Sequence, residues 1–84
     1  MSRLDKLLLK LLRGTSDASF AFDDLRYLVL HLGFSERIAG SHHVYRKEGV
    51  EEHLTLQPKG KDAKAYQVKQ VRDLIVKYGI GGEE

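Results

Sequence analysis

The chain has 84 residues, a formal net charge of +2 and no cysteine. A length of this order accommodates one domain with a thin core, since only about 60–65% of the unfolded surface is buried on folding. Without cysteine there are no disulfides or thiolate metal sites, and nothing points to an oxidising compartment. The apolar run Leu7-Leu8-Leu9, with Lys10 and Arg13 close behind it, is too short and too charged for a membrane span and lacks a small-residue cleavage site. The expectation is a soluble, cytoplasmic protein with no membrane partner, one domain over 1–84, with an N-terminal helical extension at 1–19 and a core at 20–78.

Leu4, Leu7, Leu8, Leu11 and Leu12 recur at helical spacing and predict a helix over 3–12 with one apolar stripe. Gly14, Thr15 and Ser16 break it. A second helix is expected over 23–32, with Phe22 or Asp23 at its start and Leu25, Leu28, Val29 and Leu32 on its apolar face. Gly33 stops it, and Phe34 is placed to fold back over the last turn. Three extended segments follow: 34–39, 42–47 and 52–57, the second and third separated by a turn at Glu48-Gly49. Short connections make them an antiparallel meander. Pro58 ends the sheet, 59–64 is a charged loop, and Val68, Val71, Ile75 and Tyr78 mark a last helix over 65–78, stopped by Gly79. The tail 81–84 is expected to fray. The predicted fold class is α+β: order α-α-β-β-β-α, a three-stranded antiparallel sheet with helices on one face and the other face left open.

Charge is unevenly distributed. Lys59, Lys61, Lys64, Lys69, Arg72 and Lys77 face only Asp62 and Asp73 within 59–77. Such a basic stretch suits a phosphate track, or simply a solvated helix face.

Four histidines are the candidates for chemistry. His31 and His53 read as surface or boundary residues. His42 and His43 directly follow Gly40-Ser41 and open a strand. Neighbours in a strand face opposite sides of the sheet. If Tyr45 packs inward, as its large apolar area favours, His43 shares its face, and His42, Val44 and Arg46 look outward. A histidine near neutrality can take the proton from a ribose 2′-hydroxyl or give one to the leaving oxygen, while Lys or Arg offsets charge building on phosphorus. Adjacent histidines diverge, so they make a poor metal pair, and no metal or cofactor motif is present.

The segments Gly40-Ser41-His42-His43, Leu54-Thr55-Leu56-Gln57-Pro58, Lys59-Gly60-Lys61 and Tyr66-Gln67-Val68-Lys69-Gln70-Val71 stand in an order and spacing that resemble the HicA family of mRNA-interferase toxins. The helix Phe22-Asp23-Asp24-Leu25, ending in Leu32-Gly33-Phe34, resembles the first helix of that family. The resemblance implies a double-stranded-RNA-binding-like fold, metal-independent cleavage of mRNA with the motif histidine as catalytic residue, and a HicB-type antitoxin that covers the site. The motif falls on Gly40, Ser41 and His42, and the doubled histidine keeps His43 a candidate too. Gly40, Ser41, Arg46, Lys59, Lys61, Lys64 and Lys69 are the residues expected to bind RNA. Two features depart from the family: the helix at 3–12 is additional, and Lys47-Glu48-Gly49 stands where a histidine often follows the second strand.

Two further function classes stay open on the residues. One is a non-catalytic RNA-binding module that clamps phosphates with Lys59, Lys61 and Lys64 at a helix start. The other is a protein-interaction module using the sheet edge or the first helix.

Overall fold

The computed structural model describes residues 2–81; residues 82–84, most of the tail expected to fray, lie outside the described residues. Helix α1 spans Arg3–Arg13. The Ser2 side chain accepts from the Asp5 backbone N–H at 3.1 Å, which supplies one of the donors a helix start leaves unpaired. The leucine stripe is narrower than its spacing suggests. Leu7 and Leu11 are buried, while Leu12 turns to solvent.

A short 3₁₀ turn at Asp17–Ser19 leads into α2, Phe22–His31. Two bonds finish α2: Gly33 N–H to the Leu30 carbonyl and Phe34 N–H to the Val29 carbonyl. This is the closure that a left-handed residue permits, and Gly33 has φ +101. Phe34 then folds back and is buried, as the sequence predicts.

Strands β1 (Ser35–Ala39), β2 (His42–Arg46) and β3 (Leu54–Leu56) form an antiparallel sheet in that order, with β2 central. Ala39 pairs with His42, so the β1–β2 connection is the two residues Gly40-Ser41. Glycine at positive φ (+62) in the first turn position gives the twist that paired strands require. The third strand is shorter than the sequence predicts, because Glu52 is drawn away to Lys77 and Tyr78 at the end of α3.

One expectation is corrected. Residues 59–64 do not form a plain loop. Pro58–Lys59 (β4) and Asp62–Ala63 (β5) make a small two-stranded ladder. Its backbone is tied to the entry of α2, by Phe22 N–H to the Lys61 carbonyl and Ala63 N–H to the Phe20 carbonyl. Pro58 still ends the main sheet, since it has no N–H to donate.

Helix α3, Ala65–Tyr78, matches the predicted span. Its residues Val68, Val71, Leu74 and Ile75 join Leu25, Leu28 and Val29 of α2 and Tyr45, Leu54 and Leu56 of the sheet in one core. The order α-α-β-β-β-α and the α+β class therefore stand. Leu7 and Leu11 of α1 belong to the same core, and α1 packs against α2 and α3. Arg72 of α3 fastens this corner: it donates to the Leu11 carbonyl and to both oxygens of Asp17 at 2.9 Å. Hydrogen bonding to Arg72 holds the Asp17 carboxyl below its ordinary range.

Candidate active site

Strand alternation separates the two histidines. His42 is exposed on the open face, in line with Val44 and Arg46 on β2 and with Ala39, Arg37 and Ser35 opposite them on β1. His43 faces the helices, as does the fully buried Tyr45.

The surroundings of His43 form a closed polar network. Its side chain is only 15% exposed. Nδ1 lies 3.3 Å from a Glu36 carboxylate oxygen, and the ring stands edge-on to Phe22 with centroids 4.9 Å apart. Glu36 also accepts two bonds from Arg26, at 2.7 and 2.8 Å, and one from the Tyr45 hydroxyl at 2.5 Å. Arg26, then the Tyr45 hydroxyl and His43, outweigh burial and hold the Glu36 carboxyl at about 2. Burial, and then the bond to Glu36, push the Tyr45 hydroxyl well above its usual range. An ionised carboxylate only accepts, so its bond to His43 requires the ring proton on Nδ1 and leaves Nε2 as the free nitrogen of neutral His43.

His42 has a different frame. Beside it, the Ser41 hydroxyl accepts from Gln57 Nε2 at 3.4 Å. Gln57 Oε1 accepts from Lys64 Nζ at 3.0 Å, and Gln57 N–H is bonded by the buried Gln67 Oε1 at 2.9 Å. The end of β3, the start of α3 and the Gly40-Ser41 turn are thus linked through one glutamine. Gln57 and Gln67 were not among the residues singled out from the sequence. The readable signal was Gln67 itself: with Val71, Leu74 and Ile75 it falls on the apolar period of α3, where a polar side chain needs a partner.

The other expected RNA-binding residues divide. Lys59 and Lys61 are exposed on the β4–β5 hairpin, which is bonded to Phe22 through the Lys61 carbonyl. Lys64 belongs to the Gln57 cluster. Lys69 has no part in it and pairs with Asp73 at 2.8 Å on the exposed side of α3. Arg46 shares the face of His42 but stands at the other end of β2, paired with Ser35; four residues of strand put it about 13 Å along. Arg37, not singled out from the sequence, lies opposite Val44 and therefore diagonal to His42. His31 is a surface residue stacked on Tyr27, and His53 is exposed just before β3. Among the described residues, no group of three or more His, Asp or Glu side chains is placed to hold a metal ion, and no helix is long and apolar enough to cross a membrane.

Fold and site define a small α+β domain that presents one exposed histidine at a glycine-led strand turn, whose serine is tied to a glutamine–lysine cluster. A family model described as the HicA toxin of bacterial toxin–antitoxin systems matches residues 22–77, two-thirds of the chain. The chain belongs to this toxin family, and membership implies an antitoxin partner. Helix α1 lies outside the matched residues. No curated protein and no solved structure matches the chain.

Proposed function

We propose that this toxin is a metal-independent endoribonuclease that cleaves mRNA in the cytoplasm, with His42 as its acid–base residue, and that a HicB-type antitoxin neutralises it by covering the site. The observation that carries the reading is the position of His42: exposed, at the first position of a central strand, directly after Ser41, whose hydroxyl is tied to Gln57 and through it to Lys64. In this reading His42 takes the proton of a 2′-hydroxyl, and the freed oxygen attacks the adjacent phosphorus. The bond from phosphorus to the 5′-oxygen breaks, leaving a 2′,3′-cyclic phosphate and a 5′-hydroxyl. The imidazolium returns its proton to that leaving oxygen. Gly40 and Ser41 give the phosphate room and a hydroxyl contact, Lys64 supplies charge beside them, and Lys59 and Lys61 contact the strand further out. His43 acts through position: fixed by Glu36 and Phe22, it orders the strand that presents His42.

The test is incubation of an unstructured mRNA with purified protein in EDTA. Wild type should cleave and leave 5′-hydroxyl ends. His42→Ala should lose about 10²- to 10⁴-fold in rate with an unchanged melting temperature. His43→Ala should melt lower yet keep most of its cleavage. If neither substitution slows cleavage, the reading is wrong. A folded wild type that binds the RNA without cutting it would instead be a non-catalytic RNA-binding module.

A further inference from the structure

The open face of the sheet carries a pattern of charge that the cleavage chemistry does not use. Its residues on β1 and β2 are Ser35, Arg37 and Ala39 opposite Arg46, Val44 and His42. Arg37 and Arg46 are both exposed, and among the described residues neither has an acidic partner within salt-bridge distance. This contrasts with Arg3, Arg26 and Arg72, each paired to a carboxylate. Nearby Glu36 has its carboxylate engaged on the covered face by Arg26, Tyr45 and His43.

The register makes these cations a line. Ala39 is opposite His42, Arg37 opposite Val44, and Ser35 opposite Arg46. Arg37 is thus diagonal to His42 on one side and to Arg46 on the other. Diagonal neighbours on one face of an antiparallel pair stand about 7–8 Å apart. His42, Arg37 and Arg46 therefore form a zigzag of equal steps, comparable to the step between successive phosphates of an extended strand. Between them lie small or aliphatic side chains, Ala39, Val44 and Ser35, with no Phe, Tyr or Trp on which a base could stack.

We infer that the open face of the sheet is a phosphate track for single-stranded RNA, in which Arg37 and Arg46 hold the two phosphates that follow, on one side, the phosphate at His42. The inference rests on the ribonuclease reading for its substrate class and adds the path of the strand, the strand's unpaired state, a further binding residue in Arg37 and a definite phosphate for Arg46. The track contacts phosphates without stacking bases, so along this stretch it tolerates any sequence. A polynucleotide is required, because a substrate cut down to the scissile step reaches neither arginine.

The experiment measures binding of wild type to a short, unstructured 2′-O-methyl oligoribonucleotide by fluorescence anisotropy over a range of salt concentrations. This probe has no free 2′-hydroxyl and cannot be cleaved. The slope of log affinity against log salt should become shallower by about 0.7 in Arg37→Ala and again in Arg46→Ala, with the two effects adding in the double variant. Arg37→Lys and Arg46→Lys should restore it, and Lys6→Ala, at an exposed position of α1, should leave it unchanged. Slopes equal to wild type in both alanine variants, with circular dichroism showing them folded, would overturn the track and leave the face to a protein partner. The two readings fail separately. Wild type that binds this probe with the arginine-dependent slope, yet leaves unmodified RNA intact, keeps the track and loses the ribonuclease. Cleavage that persists with arginine-independent slopes does the reverse.

Discussion

His42 and His43 are adjacent in sequence, yet the two faces of the sheet give them different physical lives. On the covered face, His43 is locked among Glu36, Arg26, Tyr45 and Phe22, with the Glu36 carboxylate bonded by Arg26, by the Tyr45 hydroxyl and by His43 Nδ1. On the open face, His42, Arg37 and Arg46 are exposed, and the arginines have no acidic partners among the described residues. Where polar groups satisfy one another at low solvent exposure they rigidify the fold. Where cations are left unpaired in water, an anionic ligand gains most from them. A single pleat therefore divides the strand into a histidine held among partners and an exposed one.

Core truncation should give the largest effect. Leu56 is fully buried on the covered face. Leu56→Ala is expected to cost about 2–5 kcal/mol in urea unfolding. Its neighbour Thr55 points to the open face, and Thr55→Ala should cost less than about 1 kcal/mol. Similar losses at the two positions would break the assignment of faces.

The polar network on the covered face should come next. Glu36→Gln is expected to lower stability at neutral pH by about 1–3 kcal/mol, because it leaves Arg26 and His43 with a weaker acceptor. It should also change the response to acid. Bonds from Arg26, Tyr45 and His43 hold the Glu36 carboxyl at about 2 in the fold, against 4.5 ordinarily. The folded chain thus binds this proton more weakly than the unfolded one. The stabilisation is complete above about pH 5 and is lost as pH falls toward about 2. Unfolding curves of wild type and Glu36→Gln should converge on acidification. Asp17 and Glu52 are also held low, by Arg72 and Lys77 respectively, and they titrate in both proteins. The difference between the two curves is therefore what reports Glu36, and a constant difference would remove the network from the account of acid sensitivity.

The turn between the faces should give the smallest effect. A Cβ at Gly40 would meet no atom within 4 Å, so only its φ of +62 resists substitution. Gly40→Ala should cost about 1–2 kcal/mol, and Gly40→Asn less, since asparagine tolerates that region better. Measured together with cleavage, these variants show how firmly the turn must be held for His42 to work. Loss of cleavage far beyond loss of stability would mark the turn backbone as part of the substrate contact.

Much of this was legible in the chain. The leucine period set α1, the glycines set the helix stops, and the alternation at Val44-Tyr45 sent His42 and His43 to opposite faces. These are local rules of spacing and backbone sterics, and they need no knowledge of what packs where. The β4–β5 hairpin was not legible, because its backbone bonds go to Phe20 and Phe22, some forty residues earlier. Nor was the Glu36 hub, whose partners come from α2 and β2. Lys69 looked like part of one basic stretch, but helical rotation gave it to Asp73, while Lys64 went to Gln57. Arg37 went unnoticed because only the β1–β2 register sets it diagonal to His42. By itself the sequence determined the three helices and the three-stranded sheet, their order and, once Tyr45 is taken inward, which histidine faces outward. Tertiary structure alone decided which charges are neutralised and which stay free, because pairing depends on distances between residues far apart in the chain.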